Sequence, residues 1–100
     1  MERAACLVIL LMLSATTSRA QQPEVVRNTC SECHAVQRGQ LLSPNLRAPT
    51  FVEIANTPGV TEAALLLMLT TPHAGMPMFI LSPGQRQQII DYVLSLKTRN

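Results

Sequence analysis

Apolar and polar positions fall into blocks along the chain, and the period changes from block to block. The first block, Ala4 to Leu13, is almost unbroken apolar sequence. Arg3 stands before it and Ser18-Arg19-Ala20 follows it. A positive start, an apolar middle and small residues at the cleavage positions predict a secretory signal peptide over residues 1–20, cut after Ala20. The run is well short of the roughly 20 residues that a bilayer-spanning helix needs, so a membrane anchor fits it less well. Cys6 lies at the start of the run, whereas a lipid-modified cysteine should follow it.

Helical spacing dominates residues 21–100, which read as one domain. Pro23 to about Cys33 predicts a short helix: proline suits a first turn, Glu24 suits the positive end of the dipole, and Val25, Val26 and Cys30 share a face. Gln37 to Pro49 contains Gly39, Pro44 and Pro49 with little periodicity and predicts an extended loop. Thr50 to about Asn56 predicts a second short helix with Phe51, Ile54 and Ala55 on one side, ended by Thr57-Pro58-Gly59. Thr61 is a candidate N-cap for a helix running to about Thr70. Leu65, Leu66, Met68 and Leu69 cover most of its circumference, which predicts burial on more than one side. Ser82-Pro83 opens a last helix, running to about Lys97, whose apolar positions Ile89, Ile90, Val93, Leu94 and Leu96 keep helical spacing. Strand-like alternation and internal repeats are absent from the sequence, so the expected class is all-α with three to five short helices.

Size makes that expectation demanding. The 80 residues after Ala20 form a domain that buries a small fraction of its surface, and such domains usually need a disulfide, a metal or another staple. Beyond residue 20, six basic side chains face five carboxylates, a net charge near +1. No basic stripe interleaved with aromatics exists, which argues against nucleic acid as a partner.

The staple is legible in the cysteines. Loss of residues 1–20 removes Cys6 and leaves Cys30 and Cys33 within Cys30-Ser31-Glu32-Cys33-His34. In a CxxCH motif, two thiols one helical turn apart reach the two vinyl groups of a haem and form thioethers, and the next imidazole becomes the proximal iron ligand. A thioredoxin-like redox pair would belong near a βαβ pattern, which this sequence lacks. A zinc site would need more ligands than His34 and His73 add to the cysteines.

A second axial ligand is expected from Pro72-His73-Ala74-Gly75-Met76-Pro77-Met78-Phe79. Thioether sulfur raises a haem potential, and Met76 precedes a proline, which biases it away from helix so that a loop residue can reach inward. Met78 lies two residues on and in an extended segment points the same way; His73 offers a bis-histidine alternative. Met68, inside its apolar helix, reads as core.

With these motifs in order, the mature chain resembles class I c-type cytochromes of the small bacterial monohaem kind. The resemblance rests on CxxCH at residues 30–34, Ser43-Pro44-Asn45-Leu46, Ala48-Pro49-Thr50-Phe51, Met76-Pro77-Met78-Phe79 and the terminal Asp91-Tyr92-Val93-Leu94-Ser95-Leu96. It implies a small cytochrome c fold around one haem c, joined to Cys30 and Cys33 and ligated by His34 and Met76. It also implies that the Pro44 carbonyl accepts a hydrogen bond from Nδ1 of His34, which would fix the ring and raise its basicity. Tyr92 resembles the aromatic residue by which the family's last helix packs across its first. The first helix departs from the family pattern: it has only Val25 and Val26 where the family commonly has a glycine and an aromatic. Arg47, Asn45 and Tyr92 are the candidates for holding the haem propionates.

The expected function is outer-sphere transfer of single electrons between redox proteins in the periplasm, without an enzymatic activity and without stable membrane insertion once the leader is cut. The protein would act as a monomer or within a redox complex. The competing readings are a haem c subunit dedicated to a dehydrogenase or oxidase, and a gas-binding haem with an open iron.

Overall fold

A computed structural model describes residues 22–98; the signal peptide expected over residues 1–20 lies outside them. The described residues form four short helices in the order α1 (Val26–Cys30), α2 (Phe51–Ala55), α3 (Glu62–Thr70) and α4 (Pro83–Ser95). Among them no strand is present and no helix is long and apolar enough to cross a membrane. The all-α class is therefore as the spacing predicts.

The first helical segment is shorter and wider than its sequence predicts. The Pro23 carbonyl accepts from Val26 N at 3.0 Å and Arg27 N at 3.1 Å, but the amide of Ser31 reaches back five residues to Val26 O, at 3.2 Å. Ser31 Oγ also donates to the Arg27 carbonyl, competing with the backbone ladder. Regular helix stops at Cys30, and the chain continues in turns in which the Cys30 carbonyl accepts from Cys33 N at 3.2 Å and His34 N at 2.9 Å. The motif thus sits on a tight, hydrogen-bonded corner.

Capping fixes where the other helices begin. Thr50 and Glu53 form a reciprocal box at α2, with Glu53 N donating to Thr50 Oγ1 at 3.0 Å and Thr50 N to Glu53 Oε2 at 2.8 Å. Thr61 Oγ1 accepts from Ala64 N at 3.1 Å at the start of α3. Ser82 and Gln85 repeat the box at α4, at 3.1 and 2.9 Å, with Pro83 in the first turn. Each cap satisfies amides that the first helical turn leaves free, worth about 1 kcal/mol. The last helix ends at Ser95 because the amides of Leu96 and Lys97 turn to carbonyls only three residues back, Val93 and Leu94. Arg38 Nη2 donates to the exposed Ser95 carbonyl at 2.8 Å, placing a cation at the negative helix end.

The core gathers Val26 and Ile90, both essentially inaccessible, with Val25, Cys30, Val36, Phe51, Ala55, Leu65, Ile89, Tyr92, Val93 and Leu96. The principal helix-to-helix contacts run from α4 to α2 and α3. Tyr92 is buried as expected, but its anchor lies beyond α1: its Oη donates to the Val36 carbonyl at 2.5 Å and its ring lies 6.3 Å from that of Phe51.

One packing expectation is overturned. Only Leu65 of α3 is buried; Leu66, Met68 and Leu67 are exposed, Leu67 to 63%. The helix packs on α4, and Leu66, Leu67 and Met68 keep substantial exposure along its remaining sides.

Candidate cofactor site

The open side of that core is a cavity of about 600 Å³, within the range of small-molecule and cofactor sites. Cys30, Cys33 and His34 line it from the α1 corner, and His73, Met76 and Pro77 from the loop between α3 and α4. Its apolar walls come from Phe51 and Ile54 of α2, Leu65, Met68 and Leu69 of α3, and Ile89, Ile90 and Val93 of α4. The faces that read as core in the sequence are thus partly cavity wall, and Met68 is one of these wall residues. That apolar stripes serve a cavity rather than each other could have been suspected only from the excess of apolar surface on so short a chain.

The chemistry of the cysteines fits covalent attachment better than redox cycling. They are not joined to each other by a disulfide; Cys30 is buried and Cys33 half-buried. Burial pushes the Cys30 thiol up to about 11, whereas the attacking thiol of a redox pair is lowered toward neutrality. Among the described residues no group of three or more His, Cys, Asp or Glu side chains stands close enough together to hold a metal ion.

His34 is oriented from two sides. Its Nδ1 donates to a backbone carbonyl at 2.7 Å, and its ring lies 5.3 Å from Phe51, tilted by 49°. Because a carbonyl only accepts, this bond places the ring proton on Nδ1 and leaves the lone pair of Nε2 for a metal. The carbonyl belongs to Pro49, and this corrects the expectation for Pro44. Phe51 N donates to the Ala35 carbonyl at 2.8 Å, which draws the Pro49-Thr50 corner alongside His34. Residues 43–45 brace the backbone instead: Ser43 Oγ accepts from Ala35 N at 3.0 Å, and Asn45 N donates to Cys33 O at 3.1 Å, leaving Pro44 exposed between them. The signal for Pro49 was its place just before the Thr50 to Glu53 capping box, on a corner whose geometry is fixed.

The loop candidates separate. Met76 is half-buried and lines the cavity; Met78 is 52% exposed and does not. His73 also lines the cavity, with Nε2 3.0 Å from Met76 Sδ. Asn45 and Arg47 reach the cavity from the exposed loop, whereas Tyr92, its hydroxyl spent on Val36, is not among the lining residues and drops out as a propionate partner.

A cytochrome c-552 of Bradyrhizobium diazoefficiens is 29% identical to this chain over 99 residues, covering 95% of this chain and 94% of that protein. No protein-family profile and no solved structure matches the chain. The residues present fit the covalently bound haem of such a protein: two cysteines, a histidine with its outer nitrogen turned from the backbone and a methionine sulfur meet at one apolar cavity. With a strandless helical fold among the described residues and a CxxCH corner opening into that cavity, the chain resembles the small c-type cytochromes, class I included.

Proposed function

We propose that this protein is an exported monohaem cytochrome that passes single electrons between redox proteins of the periplasm. The observation that carries the reading is the convergence of Cys30, Cys33, His34 and Met76 on one apolar cavity. Cys30 and Cys33 would hold one haem through thioethers, with His34 and Met76 as its axial residues. Haem supplies the iron that takes up and returns one electron.

The remaining work belongs to the polypeptide. Pro49 holds the His34 ring in one orientation and increases its basicity. Phe51, Leu65 and Ile89 exclude water from the cavity walls, which favours the less charged state of any group placed there. The Cys30 to His34 turns and the capped helices hold the donor atoms in nearly fixed positions, so little rearrangement opposes transfer. Residues 1–20 supply the export signal.

Visible absorption of protein matured in an oxidising compartment with haem-attachment machinery tests the reading. A c-type spectrum with the far-red sulfur-to-iron band is expected; colourless protein bearing free thiols would overturn it. The apolar side chains left on the surface, Leu66, Leu67, Phe79 and Ile80 among them, favour one second reading, a subunit dedicated to a larger redox complex. Elution in a stable large assembly after gentle purification would replace the free carrier with that subunit.

A further inference from the structure

We propose that His73 is a reserve axial ligand, placed to take the iron when Met76 leaves it. The inference rests on the assignment of Met76 as the resident ligand. Three observations meet at this pair. His73 and Met76 are the first and last residues of a tight turn, closed by Met76 N donating to the His73 carbonyl at 3.4 Å and by a local antiparallel bridge. Gly75, at φ 81°, supplies the left-handed residue that such a turn needs at its third position. The turn sets the two side chains next to each other on the same cavity, Nε2 of His73 3.0 Å from Sδ of Met76.

The imidazole is also held by the backbone at one nitrogen, with the other left facing the cavity. Its Nδ1 lies 3.2 Å from the Thr71 carbonyl, an acceptor only, so Nδ1 is the donor of that contact and Nε2 is the nitrogen turned toward the methionine sulfur and the cavity. This repeats the arrangement at His34, where a backbone carbonyl likewise occupies Nδ1 and frees Nε2. An iron reached by the sulfur is therefore within a small side-chain movement of the nitrogen. Exchange of one donor for the other would lower the potential, because methionine ligation is what raises it. No electron or proton is consumed in the exchange: one iron–sulfur bond breaks and one iron–nitrogen bond forms.

The holoprotein tests this with absorption spectra and carbon monoxide binding. Wild type and His73→Ala should both show the sulfur-to-iron band. Met76→Ala should lose that band yet keep a six-coordinate low-spin spectrum and resist carbon monoxide when reduced. Adding His73→Ala, or separately His73→Gln, to Met76→Ala should open the iron, giving a high-spin spectrum and rapid carbon monoxide binding. If Met76→Ala alone is already open, the reserve role of His73 is wrong while the Met76 assignment stands. A wild type without the sulfur band, or a band that survives Met76→Ala, removes the resident ligand itself and the inference with it.

Discussion

His34 and Pro49, fifteen residues apart, are joined by a 2.7 Å hydrogen bond from the ring to the backbone carbonyl. The bond depends on a helix start, since Thr50, the next residue, is the N-cap of α2 and shares a capping box with Glu53. Orientation of the proposed proximal ligand is therefore coupled to the stability of a five-residue helix.

Thr50→Ala should expose that coupling. Loss of the cap costs about 1 kcal/mol, readable as a lower guanidinium midpoint. It should also loosen the Pro49 carbonyl, make His34 a weaker donor and raise the reduction potential, because a less basic imidazole stabilises the ferric state less. A potentiometric titration identical to wild type would uncouple the helix from the ligand.

Tyr92→Phe removes the hydrogen bond to the Val36 carbonyl from a buried position, at a cost of about 0.5–1.5 kcal/mol. The pH dependence carries a sign. Burial raises the Tyr92 phenol above its ordinary 10.0, against a smaller lowering by Arg38. A raised value means that the folded state holds the proton more tightly than the unfolded one. The stabilisation is complete below pH 10 and is lost as pH climbs from there through the folded value. Denaturation across that alkaline range should be steeper for wild type than for Tyr92→Phe.

Arg38 serves both ends of this contact, donating to Ser95 O and sitting near Tyr92. Arg38→Ala should cost about 0.3–1 kcal/mol through the unmatched end of α4, and less as salt is added. It should also move the phenol further upward, since the cation that favours phenolate is gone. Ultraviolet titration of the single tyrosine reads that shift directly.

The helices and the motif were legible because their signals are local. Thr61 and Ser82 mark their helix starts by side-chain chemistry alone, and CxxCH is contiguous. Pro44 was misread and Pro49 missed because the choice between two loop carbonyls depends on Phe51 N pairing with Ala35 O, a contact sixteen residues long. The wall role of Met68 and Ile89 was hidden for a related reason. Apolar spacing says that a face avoids water, and a cofactor cavity satisfies that as well as another helix does.

That ambiguity gives α3 its own test. Leu65 is buried against the core and at the cavity, while Leu67, two residues on, is 63% exposed. Leu65→Ala should therefore cost about 2–5 kcal/mol by opening a void in a small core, and the holoprotein should also bind dye or solvent at the cavity more readily. Leu67→Ala should change stability by no more than about 0.5 kcal/mol, because its side chain has little contact to lose and alanine is the better helix former. The two variants remove the same atoms from the same helix, so the ratio of their effects measures burial directly. Equal effects on the guanidinium midpoint would mean that the outer face of α3 is covered in solution, as it would be in a subunit seated against a partner.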